Sequence, residues 1–230
     1  MSNIQSAALG FFFVRNKGTV LLSPPIRSKM VRGDKRTVPL FFCLSQEMRD
    51  YYDWSCRELA MICKQEKVKC TVHCHYAATE SSHYLNQASR VEMRKRIEEI
   101  LHISDQSFLW EDTISGIFSA ENPFLLPEIV KPLNLPLTID ISHSFIALKG
   151  NNDQLKKHLD RYHSFAQYYH LVDSNGVYHD ALPLGKGKID WAMVKSYVKN
   201  KDFIFEIDLK PSNHLDCSPM IESAEYYNRI

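Results

Sequence analysis

Residues Gln167–Asp190 read Q-Y-Y-H-L-V-D-S-N-G-V-Y-H-D-A-L-P-L-G-K-G-K-I-D, and the fold turns on how this stretch is parsed. Tyr168, Tyr169, Leu171 and Val172 are strand formers around a single histidine, His170. Asp173-Ser-Asn-Gly176 is a turn signal, and a polar loop with two glycines follows. Asp190 stands where a helix needs its cap, ahead of Trp191, Val194 and Val198 at helical spacing. Strand, loop and capped helix make one βα unit. A polar residue at the C-terminal end of such a strand is where a parallel barrel keeps its chemistry.

The same pattern extends in both directions. Apolar, β-rich runs occur at Ala8–Val14, Thr19–Leu22, Val38–Leu44, Val68–His75, Phe108–Trp110, Leu137–Ile141, Tyr168–Val172 and Phe203–Leu209, which makes eight expected strands. Between them lie helical patterns. Met48, Tyr52, Leu59 and Ile62 recur across 46–65, and Ser89-Arg-Val-Glu92 reads as a capping box opening a helix with Met93, Ile97 and Ile100 inward. Asn122-Pro123 marks a further start that Pro127 must shorten or distort. Asn152 or Asp153 caps a segment with Leu155, Leu159 and Tyr162 on one face. Residues 23–36, with Pro24-Pro25 and many basic side chains, read as loop. Alternating β and α predicts a parallel sheet with right-handed crossovers. A doubly wound sheet would carry a glycine fingerprint after its first strand, and none is present; the isolated Gly185-x-Gly187 comes late. The expectation is a TIM (β/α)8-type barrel over residues 1–230, irregular in its N-terminal third.

Composition narrows the partners. Lys plus Arg number 28 against 27 acidic residues, so no electrostatic footprint for nucleic acid or an acidic membrane exists. The apolar run Ala7–Val14 is too short to span a bilayer and reads as a first core strand. The six cysteines form no CxxC pair and read as buried thiols, which with the rest makes the cytoplasm the expected compartment.

The strand ends carry the chemistry. Phe108-Leu-Trp-Glu111 ends in acid, Leu137-Thr-Ile-Asp140 in Asp with His143 three residues on, Tyr168-Tyr-His170 in His, and Phe203-Ile-Phe-Glu206 in Glu. His73 and His75 share one face of an earlier strand. An ionised carboxylate in an apolar interior requires a partner or a metal. Two Glu, one Asp and one His form an oxygen-rich set suited to Mn²⁺, Mg²⁺, Co²⁺ or Zn²⁺. Asp112, Asp173 and Asp208, taken alone, read as solvated loop starts or helix caps, His73 as a hydrogen-bonded core histidine, and His163 as a surface residue.

Six pieces in order then resemble the xylose-isomerase-like TIM barrels, the superfamily of sugar (phosphate) isomerases and epimerases that also holds the apurinic endonucleases. They are His73-x-x-Tyr76, Leu109-Trp-Glu111, Asp140-x-x-His143, His170-Leu-x-Asp173, the Leu182–Asp190 loop and Phe205-Glu206. The resemblance covers residues 68–230 and implies one divalent metal held by Glu111, Asp140, His170 and Glu206. It implies Glu111 and Glu206 as acid and base on a ketose, with His73, His143, Asp173 and His179 lining the pocket. The substrate it implies is a small sugar, sugar phosphate or related hydroxy-carbonyl compound, and a homodimer is one option for assembly. The endonuclease branch has a D-x-H before its loop where this chain reads His179-Asp180-Ala181, and its extra histidine strand is missing between Tyr76 and Phe108. These departures count against that branch, so a metal-dependent phosphodiester hydrolase is kept only as the alternative, and a non-catalytic barrel that keeps the fold is another.

Overall fold

The computed structural model describes residues 46–74, 84–209, 213 and 215–230, with the backbone of two short strands at 12–15 and 18–21. The expected strand Val38–Leu44, the 23–36 loop, His75, Tyr76 and Cys43 lie outside the described residues. The described elements are β1 (Phe12–Arg15), β2 (Gly18–Leu21), α1 (Gln46–Glu66), β3 (Lys69–His73), α2 (Gln87–Ser104) and β4 (Phe108–Glu111). A π-helical turn (Leu126–Val130) then runs into α3 (Lys131–Leu133). After it come β5 (Leu137–Asp140), α4 (Ile141–Ala147), α5 (Asn152–Tyr162), β6 (Ala166–Leu171), α6 (Trp191–Val198), β7 (Asp202–Phe205) and α7 (Ser218–Arg229).

Strands β3 to β7 pair in parallel and in chain order, giving five parallel strands of the expected α/β architecture. The N-terminal pair departs from a regular (β/α)8 barrel. β1 and β2 pair antiparallel, and β1 also runs antiparallel to β3. Only Asn16 and Lys17 separate the two strands, and a parallel crossover needs a dozen or more residues. Among the described residues, the sheet is a partial barrel with β2 and β7 at its edges.

Alternation along the strands sorts the side chains into two faces. Phe108, Trp110, Leu137, Ile139, Tyr169 and Leu171 join the helices' Met93, Ile97, Ile129, Leu159, Val194 and Val198 in one continuous core. The other face carries a smaller layer, in which Leu109 packs with Tyr168 and Ile204 and the buried Thr71 and Thr138 hydroxyls lie 3.0 Å apart. One step further along each strand, on that inner face, come His73, Glu111, Asp140 and His170, with Glu206 just past β7. Glu206 follows the strand, because β7 ends at Phe205 and not at the expected Leu209.

Several boundaries shift for identifiable reasons. Asn86, not Ser89, caps α2 by accepting from the Ala88 N–H, and Ser89 is buried inside the helix. Asn151 caps α5 by accepting from the Gln154 N–H. This frees Asn152 to donate to the Lys188 carbonyl and accept from the Asp190 N–H. Asp190 caps α6 as expected, through the Met193 N–H. Pro127 sits in the π-helical turn, the distortion its ring imposes. The buried face of α1 is Tyr52, Cys56, Leu59, Ala60 and Cys63, so cysteines complete the stripe and the expected inward Ile62 is exposed. Cys56, Cys63, Cys70 and Cys74 are buried free thiols and Cys217 an exposed one.

The loop after β6 folds around one carboxylate. Asp173 is fully buried; its Oδ1 accepts from the N–H groups of Ser174 (2.8 Å) and Ile189 (3.3 Å), and its Oδ2 from that of Gly185 (2.8 Å). Asp173 also bridges Leu182 through its backbone, and Lys188 N–H donates to the Ser174 carbonyl. Gly185 has φ +80° with the Tyr226 ring against it, and a Cβ on Gly187 would collide with Asp173 Oδ1 and the Ser174 carbonyl. The two glycines thus serve close backbone packing.

Two outcomes follow from this packing. Gly187→Ala should destabilise the protein by about 1–3 kcal/mol in chemical denaturation, and an unchanged midpoint would contradict the Asp173-centred loop. His158, buried on α5 and stacked on Tyr162, is pushed down to about 3 by burial and then by Arg161. The unfolded chain takes up this proton near the ordinary value and the folded chain does not. Its share of stability is therefore complete above about pH 6.5 and falls as the pH drops toward 3, by at most about 1.4 kcal/mol per pH unit. His158→Phe should have a shallower acid slope by that amount between roughly pH 6 and 4; parallel curves would contradict the assignment.

Candidate metal centre

Carboxylates from three neighbouring strands or their ends converge on His170 of β6. Its Nδ1 lies 2.7 Å from Glu206 Oε2, 3.1 Å from Glu111 Oε1 and 3.8 Å from Asp140 Oδ2. Glu111, Asp140 and His170 are fully buried, whereas the Glu206 side chain is 28% exposed. Sheet register brings them together: His73 pairs with Glu111, Asp140 with His170, and the Glu206 N–H donates to the Leu171 carbonyl.

One imidazole nitrogen carries at most one proton, and three carboxylates surround it. In the metal-free protein the ring acts as their counter-charge. Burial opposes its protonation, but Glu111 and then Glu206 hold His170 well above the ordinary histidine range. Burial likewise opposes ionisation of Glu111, and His73, His170 and His143 hold it well below the carboxylate range nonetheless. Asp140 divides its labour. Oδ1 accepts from the His143 N–H and the Ser142 hydroxyl, both at 2.9 Å, as the cap of α4. Oδ2, buried, accepts no hydrogen bond among the described residues.

This donor set fits a divalent cation. One ligand atom from each of Glu111, Asp140, His170 and Glu206 can be chosen so that all lie within 4.8 Å of one another. Metal bonds of about 2.0–2.2 Å put ligand pairs up to about 4.3 Å apart, so closure needs only small side-chain adjustments. Three oxygens and one nitrogen suit Mn²⁺, Mg²⁺, Co²⁺ or Zn²⁺.

The remaining candidates divide. His73 Nε2 lies 3.2 Å from Glu111 Oε2, and its ring centroid is 6.0 Å from that of His143. His143 is buried, and exposed His179 lies 4.9 Å beyond it, centroid to centroid. These three imidazoles form a row beside the carboxylates, and Asp140, His143 and His179 make a second group with metal-ligand spacing. Asp173 does not join them. The carboxylate expected at the pocket is spent on backbone N–H groups of its own loop. His163 is exposed at the end of α5, and Asp208 is exposed, as expected for surface residues.

Asp112 is the residue that strand-end reasoning passed over as a solvated loop start. It is buried, its Oδ1 accepts from the Asp140 N–H and its Oδ2 from the Ser144 hydroxyl, both at 2.7 Å. Its backbone carbonyl accepts from His143 Nδ1 at 2.9 Å. Burial drives the Asp112 carboxyl up to about 7 against the pull of His143. Burial opposes charge on His143, yet Asp140, Glu111 and Asp112 raise it to about 9. The sequence signal lay in the acid pair Glu111-Asp112, where adjacent side chains on one strand end point to different sides.

No family model matches the chain, and no curated protein matches it in sequence. Solved structures do. A D-tagatose 3-epimerase-like protein is 19% identical over 81% of this chain and 73% of its own, with a TM-score of 0.60. The D-psicose 3-epimerase of Clostridium cellulolyticum H10, crystallised with D-tagatose, is 12% identical over 81% and 71%, with a TM-score of 0.58. An IolI protein with a bound zinc atom is 19% identical over 82% and 72%, also with a TM-score of 0.58. At these identities the likeness establishes a fold of the TIM-barrel type alone and leaves activity to the site.

Proposed function

We propose that the chain is a divalent-metal-dependent isomerase or epimerase acting on a small sugar, sugar phosphate or related hydroxy-carbonyl compound. The observation that carries this reading is the convergence of Glu111 and Glu206 on the one nitrogen of His170, with Asp140 completing the set. Similar folds in proteins named as 3-epimerases, and one with bound zinc, support it. The reading carries with it a single barrel domain over residues 1–230, a polyhydroxylated small-molecule substrate and a cytoplasmic setting. No described helix is long and apolar enough to cross a membrane.

Glu111, Asp140, His170 and Glu206 would hold the ion. When bound there, a divalent ion supplies Lewis acidity, polarising a carbonyl and stabilising oxyanion charge. The protein's own groups handle the protons. Glu206, the most exposed of the four, takes the proton from the carbon beside the carbonyl; the C–H electron pair becomes the carbon–carbon double bond and the carbonyl π pair moves onto oxygen, giving an enediolate. Glu111 is assigned the acid's part: it must enter this step carrying a proton, which it gives to the same carbon on the other face as the oxygen's electrons re-form the carbonyl, while Glu206 keeps the proton it took. The stereocentre inverts. His73 and His143 lie beside Glu111, where their N–H groups can orient substrate hydroxyls.

A second reading, phosphodiester hydrolysis, is favoured by the Asp140–His143–His179 group, which could take a further ion. Metal stoichiometry separates the two: about one ion per chain supports the isomerase, two or three the hydrolase.

His170→Ala should lower metal content measured by elemental analysis after dialysis; unchanged stoichiometry removes His170 from the ligand set. Glu206→Gln should stay folded, bind metal more weakly and lose on the order of 10²–10⁴ in turnover on whichever ketose of a panel the wild type converts. Wild-type turnover in that variant would overturn the assignment of Glu206. A metal-loaded wild type that turns over no member of either substrate class would leave the non-catalytic barrel in its place.

A further inference from the structure

We infer that Asp112 is the positioning residue of this centre: it touches none of the reacting atoms but fixes Asp140 and His143 relative to Glu111. The inference rests on the metal-binding reading above. Three observations carry it. The β4–β5 ladder stops at Glu111↔Thr138, so beyond it the Asp140 N–H is held by a side chain, Asp112 Oδ1, and not by strand β4. The other carboxylate oxygen is pinned by the Ser144 hydroxyl from the first turn of α4, the helix that Asp140 itself caps. The backbone carbonyl of the same residue accepts from His143 Nδ1, which fixes that nitrogen as a donor and turns Nε2 toward Asp140 Oδ2, 4.0 Å away.

The consequence is geometric. Glu111 and Asp112 are consecutive, so the placement of one candidate ligand, Glu111, is locked through the next residue to a second ligand and to a neighbouring imidazole. Asp140 presents Oδ2 because its backbone is anchored by Asp112 and its Oδ1 is spent on the helix cap. Outer-shell partners of this kind orient ligands, and their loss typically weakens metal binding by about 10–100-fold. Replacing the carboxylate with an amide keeps the arrangement: Oδ1 still accepts from the Asp140 N–H, and the amide donates to a Ser144 hydroxyl that turns its own proton away.

The test is Co²⁺ titration of the full-length metal-free protein, read as the dissociation constant and the visible d–d spectrum, for wild type, Asp112→Ala and Asp112→Asn. The expected result is a loss of about 10–100-fold in affinity with an altered spectrum for Ala, and affinity within about threefold of wild type with the wild-type spectrum for Asn. A residue needed only for folding would lower the melting temperature of the Ala variant but leave its folded fraction with the wild-type spectrum, and that overturns the inference. An Asn variant as weak as Ala also overturns it, since charge and not placement would then matter. If Asp112→Ala does not fold, Ser144→Ala carries the test: a several-fold weaker site with a shifted spectrum supports the inference, and wild-type values overturn it. Failure of the wild type itself to bind Co²⁺ is a different result; it sinks the metal reading, and the inference falls with it.

Discussion

Three carboxylates share the immediate surroundings of a single buried imidazole nitrogen, and most of the local architecture answers to that arrangement. Buried negative charges repel one another and lose their hydration, so the set is tolerable only with a positive charge among them. In the metal-free chain a protonated His170 fills that role, with His73 and His143 helping from the side of Glu111. One proton cannot satisfy three carboxylates, and Asp140 Oδ2 remains without a hydrogen bond among the described residues. A divalent cation removes the shortfall at a stroke. On the proposed metal-binding reading, the imidazolium holds the place that a divalent ion would take.

The scaffold delivers these groups through ordinary devices. Parallel register puts the ends of β3 to β6 side by side, and the two-residue side-chain period sends one set inward and the next into the helix-covered core. Helix α4 begins directly at Asp140, which explains the Asp-x-x-His spacing: the aspartate is the N-cap, and the residue whose N–H it accepts is His143. Asp173 plays the complementary part after β6. It is an acid at a strand end that never reaches the pocket because its own loop closes on it, with Gly185 and Gly187 permitting the approach. The same residue type at equivalent places is thus a candidate ligand at Asp140, the proposed positioning group at Asp112 and a loop anchor at Asp173, according to which N–H groups it accepts from.

The four candidate ligands were legible because each breaks an apolar, β-rich run of sequence, between neighbours such as Ile, Phe, Leu or Tyr. The βα rhythm from Val68 onward was legible from period alone. Other features were not. The antiparallel β1–β2 pairing is one, since only Asn16 and Lys17 lie between the two runs and neither is a glycine that would signal it. Ser89 carried a stronger capping signature than Asn86, but its position faces the core, so burial decided. Cysteines 56 and 63 completed the inner face of α1 where a larger aliphatic at Ile62 drew the eye. Asp112 and Asp173 each follow a strand, and although the acid pair Glu111-Asp112 marks the first of them, only the fold reveals which N–H groups each one holds.

The central claim is that Glu111, Asp140, His170 and Glu206 together hold one divalent ion, and anomalous diffraction from crystals of the protein grown with Mn²⁺ or Zn²⁺ tests it most directly. An anomalous peak is expected about 2.0–2.3 Å from His170 Nδ1, Asp140 Oδ2 and one oxygen of each glutamate. Density at full occupancy elsewhere, with His170 still bridging Glu111 and Glu206, would contradict it.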